Sequence, residues 1–234
     1  MTMIKKSRIT HPEYGDIEIT RNPRARRIIL RARPDAIYIT LPTRATKEDL
    51  AKAIETYGSK LVAQRAQMQT PAITRDFKIE GELFSFGIEE HAQSSFVMRY
   101  KGREATLLCP AGAKLATRQE WLKKIIKGAM RRRAQETLPQ RLHELATKHS
   151  LQYGKVSIRD SHTRWGSCSS RGDISLSIYL MMLPAELIDY VLLHELCHTL
   201  EMNHSERFWQ KLNNLTGEDS TLLRSKLRRY KCDF

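Results

Sequence analysis

One short stretch carries residue types whose spacing could do metal chemistry: His194-Glu195-Leu196-Cys197-His198, followed by His204. Histidines four apart on a helix project from one face about one turn apart, so both imidazoles can reach a single metal ion. His204 would supply a third nitrogen. Three protein ligands leave one tetrahedral position open, the arrangement of catalytic rather than structural zinc. Glu195 lies about 100° around the helix from His194. Its carboxylate could there take a proton from water whose pKa the metal has lowered. The plainer alternative is two packed histidines and a solvated glutamate on a core helix. Against it, a polar triplet interrupting an apolar helix needs partners to be buried, and a metal supplies them.

The elements that must position these residues can be read around them. Ala185 to Leu193 is an apolar run opened by Pro184, a helix-start signal. Met202-Asn203 is expected to end that helix, since Asn tolerates the left-handed conformation of helix C-termini. Ser205 then caps a helix whose Phe208, Trp209 and Leu212 pack under the site, Gly217 closes it, and Leu223, Leu227 and Tyr230 line a last helix. Upstream, Val156 and Ile158 predict a strand, Arg171-Gly172-Asp173 a turn, and the alternation Ile174, Leu176, Ile178, Leu180 a strand with one buried face. If that strand edges the metal site, an extended peptide could add to it.

The rest of the chain reads as α+β. Period-two patterns around Ile17 and Ile19, Ile28 and Leu30, and Ile37 to Leu41 predict short strands, with turns at Asn22-Pro23 and Pro34-Asp35. Residues 46–69 change to helical period, with Thr46 and Asp49 as a cap. Strands return between Phe77 and Leu108, and Pro110-Ala111-Gly112 marks the expected domain boundary. The division is thus a β-rich N-terminal part over 1–112, with one helix, and a catalytic part over 113–234. Thr117 and Glu120 suggest a capping box for a long helix that Pro139 should kink or restart.

Composition bounds what such a site could serve. The 234 residues are 41% hydrophobic, ordinary for a globular protein. No apolar stretch reaches the roughly 20 residues of a membrane helix. The first residues are basic with no apolar run behind them, so no secretory signal is expected. The 4 cysteines, Cys109, Cys168, Cys197 and Cys232, form no Cys-x-x-Cys pair and read as reduced thiols of a cytoplasmic protein. The formal charge of +14 gathers at Arg24 to Arg33, at Lys123 to Arg133 and at Arg224 to Lys231. Such fields attract polyanions, nucleic acid and nucleotides among them, although solvated helix faces would carry the same charge.

The two motifs together, Arg164-Trp165-Gly166-Ser167-Cys168-Ser169 and His194 to His198 through Asn203-His204-Ser205 to Phe208-Trp209, closely resemble the YgjP-like metal-dependent hydrolases. That family is similar in its helix motif to the SprT-like and WLM zinc peptidases. The resemblance is specific over about residues 150 to 215 and implies a small gluzincin-type catalytic domain. It makes His194, His198 and His204 zinc ligands and Glu195 the general base. Candidate substrate contacts around such a site are Arg164, Trp165, Ser167, Arg171 and Tyr179. One departure is that Ile178-Tyr179 stands where the family often carries an aromatic-arginine pair, so Tyr179 would have to act through its hydroxyl.

Three readings follow. The leading one is a zinc metallopeptidase acting on a peptide or protein. The second keeps the metal but hydrolyses a phosphoanhydride of a nucleoside triphosphate such as UTP, an activity linked to the same family, with Arg164 and Arg171 on phosphate oxygens. The third is a metal-stabilised nucleic-acid-binding module without turnover, which would have no use for Glu195.

Overall fold

The computed structural model describes residues 5–68, 71–232 and 234. Met1 to Ile4 of the basic start, and residue 69 at the end of the expected first helix, lie outside the described residues. Those described form a mixed α+β fold with three small sheets and five α-helices. None of the helices is long and apolar enough to cross a membrane. The chain divides into two compact units, Met1–Pro71 and Ala72–Phe234.

The first unit is a sheet with one helix. Strands β1 (Lys5–His11), β2 (Gly15–Arg21), β3 (Ile29–Ala32) and β4 (Ile37–Leu41) take the order β1-β2-β4-β3. β2 and β4 run parallel, with Ile17 opposite Ile37 and Ile19 opposite Ile39. The predicted alternation is what buries one face of these strands: Ile17, Ile19, Ile37, Ile39 and Leu41 form a core with Ile54 and Leu61 of helix α1 (Lys47–Met68). Thr46 and Asp49 cap that helix reciprocally. The Thr46 amide donates to the Asp49 carboxylate at 2.9 Å, and the Asp49 amide donates to the Thr46 hydroxyl at 3.1 Å.

The second unit holds the rest. Strands β5 (Ile79–Glu80), β6 (Ser85–His91), β7 (Val97–Lys101) and β8 (Glu104–Pro110) form a sheet of order β5-β6-β8-β7. Its buried Phe86 and Leu107 share one core with Leu122, Ile126 and Met130 of α2 (Gln119–Lys148) and with Leu192 and Leu196 of α3 (Ala185–Cys197). The boundary expected near residue 112 therefore falls inside this unit. Gly112 does make a turn, at φ 75°, but the strands before it and the helix after it bury their apolar faces against each other.

Three local expectations change. α2 does not restart at Pro139 but continues through it to Lys148. The ring removes one N–H, but Leu138 and Leu142 on either side are fully buried and hold the helix in place. Thr117 does not cap α2; its hydroxyl donates to the Lys114 carbonyl, and a 3-10 turn over Leu115–Arg118 leads into the helix instead. α3 stops at Cys197 with His198 as its C-cap, earlier than Asn203, which does not take the left-handed conformation.

The part that positions the site is a three-stranded sheet of order β10-β11-β9, where β9 is Val156–Arg159, β10 is Gly166–Cys168 and β11 is Ile174–Ser177. β10 is one of its two edge strands, antiparallel to β11. The expected strand to Leu180 ends at Ser177, where the Ser177 hydroxyl accepts from the Tyr179 amide and opens a 3-10 turn over Ile178–Met182. Helices α4 (Glu206–Thr216) and α5 (Ser220–Leu227) follow α3.

Candidate metal centre

α3 carries His194, Glu195 and His198 near its C-terminal end, and the buried Leu187, Ile188, Val191 and Leu192 in the turns before them anchor the helix in the core. The turn after it carries His204 back toward them. Nε2 of His204 lies 3.1 Å from Nε2 of His194, and one ring nitrogen from each of His194, His198 and His204 lies within 4.8 Å of the other two. The three imidazoles converge as the spacing predicted.

α4 holds them there. Ser205 is its N-cap, the hydroxyl accepting from the Phe208 amide. This fixes the fully buried Phe208 as a post beneath all three rings, with centroids 4.9, 4.6 and 4.7 Å from those of His194, His198 and His204. Trp209 stacks on His204 at 5.6 Å. Gly217 ends α4 at φ 71°, in the left-handed conformation expected of it.

The donor chemistry fits a metal ion. Nδ1 of His198 stands 3.2 Å from the Glu201 carbonyl. A carbonyl only accepts, so Nδ1 donates to it and Nε2 is the ring nitrogen left for a metal. Nδ1 of His194 is buried without a hydrogen-bond partner, so its ring receives little from the protein in return for burial. Burial, reinforced by the neighbouring His198, His204 and Arg224, pushes the His194 pKa down to about 3. The ring is thus neutral, the form that ligates metal. The 3.1 Å between the two Nε2 atoms is close to the roughly 3.4 Å that separates two nitrogens on a tetrahedral ion with bonds of about 2.1 Å.

Glu195 points elsewhere on the same helix and is only 5% exposed. Burial raises its carboxyl to about 7, against the opposing charge of Arg164. It forms no ion pair among the described residues. Strand β10 passes directly over it. A Cβ added to Gly166 would lie 2.6 Å from Oε1 of Glu195 and 2.7 Å from its Cγ, so only glycine fits there. Cys168, on the same strand, has its thiol pKa raised by burial and then by the Glu195 charge.

The expected substrate contacts separate. Arg164 is close enough to act on the Glu195 charge. Ser167 sits partly exposed on β10 opposite Ser175. Trp165 is half-buried against the core, its carbonyl accepting from the Ser177 amide at 2.9 Å. Arg171 is exposed in the turn after β10 and lines a groove that also reaches Tyr153, Ser169, His198 and Met202. Tyr179 leaves the set. Fully buried in the 3-10 turn, it has its hydroxyl 3.3 Å from Nε2 of His162 and packs against Phe234.

Two residues were missed by sequence reasoning. Gly166 looked like one glycine in a motif, and its contact with Glu195 depends on where β10 crosses α3. Arg224 of α5 looked like one cation in a basic tail. Its guanidinium lies 5.2 Å over the Trp209 ring and depresses the pKa of both His194 and His204.

Among known proteins, the family model described as YgjP-like, metallopeptidase domain, matches residues 26–230. No curated relative and no solved structure matches the chain. A match over most of the sequence, on a fold that gathers three metal-competent imidazoles, places the chain in the YgjP-like family of metallopeptidase-type, metal-dependent hydrolases.

Proposed function

We propose that this protein is a zinc peptidase of the gluzincin type, with His194, His198 and His204 as ligands and Glu195 as general base. The observation that carries this reading is the convergence of three imidazoles beside a buried carboxylate with no ion-pair partner among the described residues. Three nitrogen ligands suit zinc and leave a position open. When bound, zinc supplies a Lewis acid that lowers the pKa of water and polarises a carbonyl.

The chain's own residues do the rest. His198 is held by the Glu201 carbonyl so that Nε2 faces the site. Glu195 receives a proton at its carboxylate as water attacks the peptide carbonyl, and returns it to the leaving amine. Its raised pKa suits a group that must take and give a proton near neutral pH. The edge strand β10 offers free backbone groups along which an extended peptide would lie as an added strand, Ser167 at its centre.

A phosphoanhydride substrate is the second reading. Arg224, without an acidic partner among the described residues, favours it as a cation for phosphate.

Replacing Glu195 with Gln keeps the shape and removes the base. Zinc content should stay at one per chain while peptide hydrolysis falls by about 10²–10⁴-fold. Turnover at the wild-type rate by that variant would refute the mechanism. A panel of nucleoside triphosphates assayed alongside unfolded protein, with zinc, manganese and magnesium compared, decides between the two bonds.

A further inference from the structure

The hydrolytic site uses none of the cations on α2, yet they are gathered around a groove. Lys123, Lys124, Lys127, Gly128 and Arg131 line it, with Glu120 and Asp160 at its sides. Lys123 is paired with Glu120 at 3.3 Å, and Lys127 with Asp160 at 3.2 Å. Lys127 also meets Nε2 of His162 at 3.2 Å, so its ammonium is held in place. Lys124 and Arg131 are exposed and have no acidic partner among the described residues. Four cations against two carboxylates leave a net positive groove.

Gly128 is the second observation. It sits exposed in the middle of α2, with a helical backbone, and a Cβ added there would meet nothing within 4 Å. No packing contact, turn or positive φ requires glycine. In a helix interior it is among the least favoured residues, chiefly through backbone entropy. What glycine provides here is a gap in the helix surface between cations, through which another chain can approach the backbone closely.

The spacing says what fits. Lys123, Lys127 and Arg131 follow one another at four-residue intervals, which sets them about 6 Å apart along one helix face. That matches the separation of successive phosphates along a single nucleic-acid strand. No aromatic ring lines the groove, so nothing there would read bases by stacking. We propose that this groove on α2 binds the phosphate backbone of single-stranded nucleic acid, independently of sequence, with Gly128 as the point of closest approach. The site is separate from the histidine cluster and does not depend on which bond the hydrolase cleaves.

The test uses the full-length chain and a fluorescent oligothymidylate, with anisotropy measured across a salt series. Wild type should bind with a log–log salt slope set by the phosphates neutralised. Lys124→Gln with Arg131→Gln should weaken binding by about tenfold or more and flatten the slope by about 1.4, the value for two contacts on a single strand. Gly128→Gln changes no charge and strengthens the helix, yet it should also weaken binding several-fold by filling the gap, and Gly128→Ala, which fills less of it, should weaken binding by a smaller factor. Melting by circular dichroism confirms that each variant is folded, and Lys124→Gln alone repeats the measurement if the double variant is not. Peptide hydrolysis should be unchanged in all of them. The proposal is overturned if wild type does not bind at low salt, or if the charge variants bind as wild type does. It also fails if Gly128→Gln binds as tightly as wild type, because the cations would then act only as a diffuse field.

Discussion

At the residue scale the site depends on an interlock between a strand and a helix. Gly166 has no side chain because the Glu195 carboxylate occupies the space where one would be, 2.6 Å from the position of its Cβ. Gly166→Ala must therefore push the carboxylate or lift β10, without touching an imidazole. Since a displacement of about 1 Å can cost about 10²-fold in rate, hydrolysis should fall by about that factor while zinc content stays at one per chain. Metal analysis beside a peptidase assay checks both halves; loss of zinc would mean that the strand, not the base, had been disturbed. This contrast shows what a sequence can disclose. His194, Glu195 and His198 were legible because their relation is set by the pitch of one helix. The Gly166 contact joins two elements and has no local signature. Tyr179 was misread for the same reason. Its alternation with Ile178 and Leu180 matches a strand, but Ser177 turns the backbone into a 3-10 turn and carries the ring into the core.

At the scale of elements, the first turn of α4 does two things at once. Ser205 caps the helix, and the amide it accepts from belongs to Phe208, the ring that all three imidazoles rest against. Replacing Ser205 with Ala should cost about 1 kcal/mol of stability, the usual loss of an N-cap hydroxyl, measurable by urea unfolding of the metal-free protein. Because His204 is the residue immediately before this cap, the same change should also weaken zinc binding, read by competition with a chelating dye. Ser205→Asp, which restores a cap, should recover both; recovery of stability without recovery of affinity would separate the cap from the ligand. This element was readable in advance: the Ser205 cap, the aromatic pair and Gly217 lie in one local pattern. Pro139 was not, since the tendency of proline to break a helix is local while the burial of Leu138 and Leu142 that overrides it is tertiary.

At the scale of the molecule, two cores are built from different stretches. Ile17, Ile37 and Leu41 belong to one, and Phe86, Ile126 and Leu192 to the other. Composition placed the division at Pro110-Gly112 because a turn and a change of period coincide there, whereas the division at Pro71 follows from which apolar faces meet, which no window of sequence contains. All three candidate ligands lie in the second unit. A metal that binds the folded but not the unfolded state stabilises by mass action, by about 2.7 kcal/mol at a hundred times its Kd. For a unit of this size that should raise the melting temperature by about 5–10 °C. Calorimetry of the chelated protein before and after zinc should therefore show that shift in the transition that unfolds Ala72–Phe234. Glu195→Gln should keep the shift, since it changes the proposed base and no proposed ligand, and His204→Ala should lose most of it. A zinc-induced shift of equal size in His204→Ala would place the metal somewhere other than the three imidazoles, and with it would go the assignment of Glu195 as the base beside it.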